Sequence, residues 1–263
     1  MKTLLTLLLY ISLSSTALAG NSVFIEQIGT STDTTIAVDI DGNNNSVNLT
    51  MEGTNNDLNI KQEGNNNIVS WISYWGSGKA WGGDLDGNSN TIKTEQYNTT
   101  GTDANRVGMH IQSNSNTVSV GQGCTYDSQS DTTCSGSVSE YGGHTTNLDL
   151  HSGNNNIKVG QSSGSVDADH YAQIYMYGGE YNTMFVKQDG SGNKTLNMTV
   201  RTDGGTQSVI QKDSGAHVAT IDLTGSYHTD LNLIQQGSTN QSYSLTQNCL
   251  TSGGCSVGIT QGN

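Results

Sequence analysis

The twenty residues from Asn45 to Gly64 read NSVNLTMEGTNNDLNIKQEG, and this stretch decides the fold. It contains one unit twice, because an asparagine, alternating apolar positions and a closing glycine begin again at Asn56, 11 residues after Asn45. Apolar residues at every second position are typical of a strand with one buried face. Glycine and asparagine between the units tolerate positive φ and favour tight turns. The stretch therefore predicts two short β-strands joined by a turn.

The same unit recurs through the chain after its first twenty residues. No stretch of this region combines an apolar period of 3.6 with helix caps, so we expect roughly 18–20 short strands and no helix. The apolar positions that mark further copies are Val23 and Ile25, Ile36 to Ile40, Val118 and Val120, Ile157 and Val159, Met184 and Val186, Leu196 to Val200, Ile221 and Leu223, Leu231 and Leu233, Tyr243 and Leu245, and Val257 and Ile259.

Glutamine recurs at one place in the unit, just after the alternating apolar residues. A glutamine buried inside a stack of strands needs another amide as its partner, because an unsatisfied buried polar group costs roughly 1–3 kcal/mol. Parallel stacking supplies that partner in the next strand, about 4.7–4.8 Å away. The alternative is that these residues lie exposed on the strands. The predicted amide ladder consists of Gln27, Gln62, Gln96, Gln122, Gln161, Gln188, Gln211, Gln235, Gln247 and Gln261.

The shared unit also decides between β architectures. Short strands at this spacing are compatible with a sandwich or an up-and-down barrel, but those folds use distinct edge, centre and corner strands. The sequence therefore predicts an all-β fold, a β-solenoid of stacked strand-turn-strand rungs with amyloid-like cross-β pairing over residues 20–263. The asparagines expected in its turns and ladders are Asn21, Asn45, Asn56, Asn116 and Asn182.

Composition and charge narrow the class of protein. Hydrophobic residues make up 32% of the chain, against about 45–50% in ordinary globular domains, which argues for a thin core. Disorder would favour proline and charge runs, whereas proline is absent and charged residues are 13%. The net charge of −13 repels phosphate and anionic lipid, so we expect no nucleic-acid partner and no membrane insertion. It also keeps an aggregation-prone chain soluble before assembly.

The first residues predict export. Lys2 precedes an apolar run from Leu4 to Leu13, which leads to Ala17-Leu-Ala-Gly20. This pattern is typical of a secretory signal peptide over residues 1–19, cut after Ala19, and the run is shorter than the ~20 residues of a membrane-spanning helix. We therefore expect a secreted protein.

An exported chain meets an oxidising environment, which favours disulfides between its four cysteines. Three connectivities are possible, and we predict the local pairs because each brackets a short stretch rich in glycine, serine and threonine. Zinc is the alternative, but the spacing is not C-x2-C and no histidine lies beside these residues. The predicted pairs are Cys124 with Cys134 and Cys249 with Cys255.

Four stretches break the repeat and are predicted to form loops, near residues 71–83, 98–104, 124–135 and 164–171. Long loops on a rigid scaffold are common places for recognition. The first contains an aromatic group that could stack on sugar rings or on a partner, or could cap a rung. Its members are Trp71, Tyr74, Trp75 and Trp81.

Motifs of zinc-hydrolytic and nucleotide-binding sites are absent from the sequence. It has no His-Glu-x-x-His pair and no phosphate-binding glycine loop, and we expect no enzyme and no cofactor. Asp41-Gly-Asn-Asn and Asp86-Gly-Asn-Ser lack calcium-loop spacing and are predicted to be ordinary turns. The histidines are scattered, so we expect them at the surface: His110, His144, His151, His170, His217 and His228.

The repeated unit resembles the curlin repeat. Asn56 to Gly64 (NDLNIKQEG) and Asn182 to Gly190 (NTMFVKQDG) carry the pattern N-x-φ-x-φ-x-Q-x-G, where φ is apolar, and Asn21 to Gly29 and Asn116 to Gly123 are close to it. Curlins are subunits of curli, extracellular amyloid fibres of bacterial surfaces and biofilms. The resemblance implies a bacterial cell-surface fibre polymer of this chain with itself, a related nucleator or major subunit, and dedicated export factors.

Two rival functions remain beside the fibre subunit. One is a monomeric β-solenoid adhesin or carbohydrate-binding surface protein, and the other is a solenoid enzyme acting on polysaccharide. A monomeric solenoid needs caps that block its end strands. Here the repeat continues to both ends of the mature chain, which favours assembly, and we expect Gln27 and Gln261 to meet between subunits.

Overall fold

The chain folds into parallel β-sheets, as seen in a computed structural model that describes residues 7–13, 20, 22–27, 34–51, 57–71, 90–98, 103–109, 115–135, 141–151, 153–165, 167–176, 180–201 and 203–262. Eighteen strands and no helix occur among these residues. The prediction of an all-β fold is confirmed.

The strands form two sheets in which neighbours run parallel. Sheet I has the order β1-β3-β5-β7-β9-β11-β13, and isolated bridges through Gln211 join it to the pair β16-β18. Sheet II has the order β2-β4-β6-β8-β10-β12-β14-β15-β17. Their bounds are β1 Leu7–Leu13, β2 Ser22–Gln27, β3 Thr34–Asp41, β4 Ser46–Met51, β5 Asp57–Gly64, β6 Ile68–Trp71, β7 Thr91–Asn98, β8 Arg106–Met109, β9 Thr117–Gln122, β10 Thr145–Thr146, β11 Asn156–Ser162, β12 His170–Tyr171, β13 Gln188–Asp189, β14 Lys194–Thr195, β15 His217–Ile221, β16 Thr229–Gln235, β17 Gln241–Leu245 and β18 Cys255–Gln261.

Successive strands alternate between the sheets, so the chain advances by one strand of sheet II and then one of sheet I. We call each such pair a tier. Asn45 and Asn67, which are equivalent residues in neighbouring tiers, are 22 residues apart, twice the repeat of 11 seen in the sequence. Other tiers are longer, and the ladder residues Gln122 and Gln161 are 39 residues apart. The described strands make nine tiers from β2 to β18, the seventh using the segment around Gln211 in place of a strand.

Apolar side chains line the space between the sheets. In sheet II, Val47, Val69 and Val107 follow one another in register and are each at most 1% exposed. Every second residue of a strand points inward, so a strand of five or more residues contributes two or three such side chains to columns that run through the stack. Burying one of them stabilises the fold by roughly 1.5–3 kcal/mol. The core is therefore long and thin, as the low apolar content predicts.

Asparagine and glycine make the tight turns between tiers. Asn44 and Asn66 have φ of 57° and 59°, in the left-handed region that asparagine tolerates better than most residues. Gly42 has φ of 106° and packs so closely on the next turn that a Cβ would collide with the Gly64 carbonyl oxygen. Only glycine fits there, which explains its recurrence in the unit.

The strands β12, β13 and β14 are only two residues long. Positive φ at non-glycine residues, including 57° at Val186, 47° at Met198 and 57° at Arg201, interrupts the extended backbone there. The inward apolar side chains nevertheless stay buried, as Val186 and Met198 show.

The predicted loops have different outcomes. Residues 124–135 leave the stack, whereas the stretch near 164–171 ends early because His170 and Tyr171 form β12. Residues 72–83 and 99–102 lie outside the described residues. Within the predicted signal peptide, Leu7–Leu13 form β1, which pairs with β3.

Candidate functional site

A row of glutamine amides runs through sheet I. Each side-chain Nε2 donates to the Oε1 of the glutamine in the next tier, at distances between 2.7 and 3.2 Å. The row is unbroken over eight residues: Gln62, Gln96, Gln122, Gln161, Gln188, Gln211, Gln235 and Gln261. All but the last are fully buried.

The same amides connect the two sheets. Gln62 Nε2 also donates to the Ser46 carbonyl at 3.2 Å, and Gln161 Nε2 donates to the Thr145 carbonyl at 3.1 Å. Six of the eight amides make such a bond and therefore fix their tier against the facing strand as well as against the next tier. Because a slip of one residue would move the amides out of the core, the row also fixes strand register.

Two predicted members of the ladder lie in sheet II, so the prediction is wrong for them. Gln27 pairs with Met51 in β4, and Gln247 follows β17, two residues after Leu245. Continuing the register past Leu245 aligns Gln247 with Leu223 of the preceding tier. Both positions therefore belong to one column of sheet II, in which Met51 follows Gln27 and Leu223 precedes Gln247. The reason is that alternate copies of the unit enter opposite sheets.

Asparagines form two further columns at the beginnings of the strands. In sheet II the Asn67 backbone N–H donates to Asn45 Oδ1 at 2.9 Å, and Asn105 Nδ2 donates to Asn67 Oδ1 at 3.1 Å. In sheet I the Asn155 and Asn182 backbone N–H groups donate to the Oδ1 of the preceding asparagine at 3.1 and 2.8 Å. Each side chain thus accepts an N–H that the turn would otherwise leave unpaired.

The two asparagine columns contain more residues than the five asparagines predicted from the repeat. Asn21 and Asn56 lie outside the described residues, whereas Asn45, Asn116 and Asn182 are column members. The signal for the others was their place immediately before each strand. The additional buried asparagines are Asn67, Asn90, Asn105 and Asn155.

Histidine and lysine continue the asparagine column of sheet II. After Asn105 the column holds His144, His170, Lys194 and His217, each at most 1% exposed. The expectation that the histidines lie at the surface is therefore wrong for these three. Their only signal in the sequence is their place in the unit, which asparagine takes in other copies.

The last tier leaves its edges open. Within the described residues, β17 pairs only with β15 and β18 pairs only with β16. The inward side chains of this tier are only partly buried although they pack on the core: Tyr243, Leu245, Val257 and Ile259. An open edge with apolar inward side chains is a surface on which another parallel strand can pair.

A disulfide-closed loop covers the outer face of sheet I. We call residues 124–135 the flap, and the Cys124–Cys134 bond closes it. Its own Tyr126 is fully buried in a cluster with Phe185 of the sheet, which is 6% exposed. A Cβ at Gly160 would lie 2.7 Å from the Thr125 Cα, so the glycine leaves room for the flap. The loop has its own small apolar cluster on the side of the sheet away from the core.

Polar contacts fasten the flap at its rim. Lys93 Nζ donates to the Thr132 carbonyl at 2.9 Å, and Lys187 pairs with Asp127 at the same distance. The Glu95 carboxylate accepts the Cys134 backbone N–H at 2.8 Å. These bonds hold the loop against β7 of the third tier and against Lys187 of the sixth tier.

The second disulfide joins Cys249 and Cys255, so the structure contains both of the local pairs. Among the described residues, Glu95 with the two flap cysteines is the group close enough to hold a metal ion. Those cysteines are joined as a disulfide and present no thiolate, the form that binds metals.

The predicted aromatic patch is largely outside the described residues. Trp71 ends β6, while Tyr74, Trp75 and Trp81 fall beyond what the structure describes. In the part of the chain that it does describe, we find no helix with the length and hydropathy of a membrane span. No family model, curated protein or solved structure matches the chain.

Proposed function

We propose that this chain is a secreted structural subunit that polymerises head to tail into a curli-like extracellular amyloid fibre. In this proposal the tiers wind as a β-solenoid, and the role is structural, with no catalysis. The partner at each end is another copy of the chain, with a related nucleator or major subunit and export factors as further partners. The resemblance of the repeated unit to curlin repeats and the amide ladder both support it.

The proposal rests on the complementarity of the strands at the two ends of the stack. If the tier register continues from one copy to the next, β17 adds to β2 and β18 adds to β3. Tyr243 would then stack on Val23, and these side chains belong to one apolar column within the chain. In sheet I, Val257 and Ile259 would stack on Ile36 and Val38 in the same way. Apolar columns would thus run through the junction.

The same register alters the expected amide contact. Gln261 would meet Ile40, because Ile40 holds the ladder position in β3. Gln27 would instead meet Gln247, since both lie at the ends of one column of sheet II. Gln247 Oε1 is buried without a hydrogen-bond partner, so a glutamine tier on its open side gives this amide a polar neighbour.

Removal of the signal peptide would prepare one end for addition. β1 pairs with β3 from Leu7↔Thr34 to Leu13↔Ile40, which is the edge that β18 of another copy would use. Cleavage after Ala19 would take β1 away and leave that edge open. The fibre-forming species is therefore the chain from residue 20 onward.

The first test is electron microscopy and thioflavin T kinetics on the chain from residue 20. We expect unbranched fibres with a meridional spacing near 4.7–4.8 Å. A chain that stays monomeric for days at micromolar concentration would refute the proposal and favour the monomeric adhesin.

The second test places opposite charges at the junction. Tyr243→Lys puts a charge in the inward column of β17, while Ser244→Lys is the matched control on the exposed face of the same strand. We expect Tyr243→Lys and Val23→Glu each to stop seeded elongation, and Ser244→Lys to leave it unchanged. A mixture of the two junction variants should elongate again, because lysine and glutamate then meet at alternate junctions. Equal elongation by Tyr243→Lys and Ser244→Lys would exclude the proposed register.

A further inference from the structure

Buried basic groups follow one another along sheet II. His144, His170, Lys194 and His217 occupy successive tiers, and the rings of His144 and His170 are stacked with centroids 4.9 Å apart. In the earlier tiers the same column holds neutral Asn67 and Asn105. The two halves of the stack therefore differ in whether this column can take up protons.

One hydrogen bond requires a neutral His144, and the rings of His170 and His217 have no acceptor for a second proton. The His170 backbone N–H donates to His144 Nδ1 at 3.3 Å, so that nitrogen must keep its lone pair. His170 Nε2 lies 3.0 Å from the Ser162 carbonyl and His217 Nε2 lies 2.9 Å from the Lys212 carbonyl, so both Nε2 atoms carry the hydrogen. The remaining Nδ1 atoms of His170 and His217 are buried without a partner. A second proton on any of these rings would lose a hydrogen bond or gain no acceptor.

The positive charge of Lys194 further disfavours protonation of the neighbouring histidines. Its ammonium donates to the carbonyls of Gly192, Asp213 and Gly215 at 2.5, 3.0 and 2.7 Å, so it is held as a cation between His170 and His217. The carboxylates of Asp213 and Asp189 stabilise this positive charge from neighbouring turns. Protonated histidines on either side would be like charges at the spacing of adjacent strands.

The remaining neighbours of the column do little to stabilise a protonated histidine. Asn105 faces His144 on one side of the column, and Gln241 faces His217 on the other. Asp169 lies beside His170, where it is surrounded by Asp103, Asp167 and Arg106. The carbonyls of Ser162, Asp169 and Gly190 favour a charged His170, and Asp213 favours a charged His217. Burial outweighs these contacts, because the pKa of both rings stays below its ordinary value.

We propose that the His144–His170–Lys194–His217 column makes the fold sensitive to acid. Protonation of its histidines in mild acid opens the C-terminal tiers, while the asparagine-lined tiers stay closed. The inference rests on the column alone and holds whether or not the chain polymerises.

The direction of the pH effect follows from the buried imidazoles. Burial and the neighbouring His170 hold the pKa of His144 well below its usual value, and burial with the Lys194 charge lowers the pKa of His170 to about 3. Burial and Lys194 also lower the pKa of His217. Stability from these groups is complete above the ordinary pKa of about 6.5 and falls as the pH drops below it. Each imidazole favours the open form by up to about tenfold per pH unit.

Hydrogen exchange read by mass spectrometry at pH 7 and pH 5 tests the proposal on the full chain. After correction for intrinsic exchange rates, we expect protection of residues 168–176 and 217–223 to fall at least about tenfold at pH 5. Residues 34–51 and 57–64 should keep their protection. Unchanged protection of 168–176 and 217–223 at pH 5 would overturn the proposal.

The matched variant replaces all three histidines with asparagine, the residue used by earlier tiers. We expect the acid effect to disappear in it and to persist in the control His228→Asn, which changes an exposed histidine outside the column. The same acid loss in the triple variant and the unaltered chain would refute the proposal. If the triple variant does not fold, NMR titration of the unaltered chain decides. His144 and His170 must then gain protons only with loss of protection, and titration near 6.5 in the closed chain would overturn the inference.

Discussion

The interior of the amide ladder should be far more sensitive to substitution than its end. Gln161 accepts hydrogen bonds from Gln122 Nε2 at 3.2 Å and Thr146 Oγ1 at 2.7 Å, and it donates to Gln188 Oε1 at 2.8 Å. Gln161→Leu keeps the side-chain volume but leaves the Gln188 oxygen and the Thr146 hydroxyl without these partners. At roughly 1–3 kcal/mol for each buried group, and with about 1 kcal/mol returned by the leucine, we expect a loss of about 1–5 kcal/mol in unfolding free energy.

Gln261→Leu is the matched control at the open end of the same row. Its amide is partly exposed, donates to the Ser242 carbonyl at a long 3.4 Å and accepts from buried Gln235 Nε2 at 2.8 Å. Gln261→Leu therefore leaves one buried group without its partner where Gln161→Leu leaves two, and we expect a smaller loss of about 0–2 kcal/mol. Urea unfolding followed by circular dichroism, below the concentration at which the chain assembles, measures both. If Gln161→Leu costs no more than Gln261→Leu, the ladder is not a buried hydrogen-bonded row and the reasoning fails.

Two further predictions concern the outer loops. Gly160→Val should lift the flap, because its Cβ would collide with the backbone at Thr125, and limited proteolysis should then cut the flap. Gly258→Val, which points into open space, should leave the flap protected, and equal cutting of both variants would contradict the packing. Reduction of both disulfides should leave the β-sheet circular dichroism signal largely intact, because the bonds close short loops of 10 and 6 residues. A collapse of that signal on reduction would show that the bonds support the stack.

The repeated unit predicted the strands and most of the ladder because burial and pairing depend on the same local pattern in every copy. It could not say which sheet a copy enters, and this explains the error at Gln27 and Gln247. One signal was available, since alternate copies place apolar residues such as Met51 and Leu223 where the others have glutamine. Two kinds of strand were therefore already distinguishable in the sequence.

The remaining differences from the prediction concern positions at which the residue type changes between copies of the unit. His144, His170 and His217 looked scattered along the sequence, although each takes the place that asparagine holds in other copies. The flap gave a similar signal at Gly121 and Gly160, which replace outward side chains in adjacent strands. Long-range packing of a loop on the outside of a sheet has no local period, so the sequence alone could not place it.

The flap distinguishes one side of a stack whose tiers otherwise resemble one another. Nine tiers at about 4.8 Å make one chain about 43 Å long, so a head-to-tail polymer would show one protruding loop at that interval along one flank. Stacked strands look alike at every step, which makes image alignment along such a polymer ambiguous. A loop that recurs once per chain would remove the ambiguity and would also reveal the polarity of the filament.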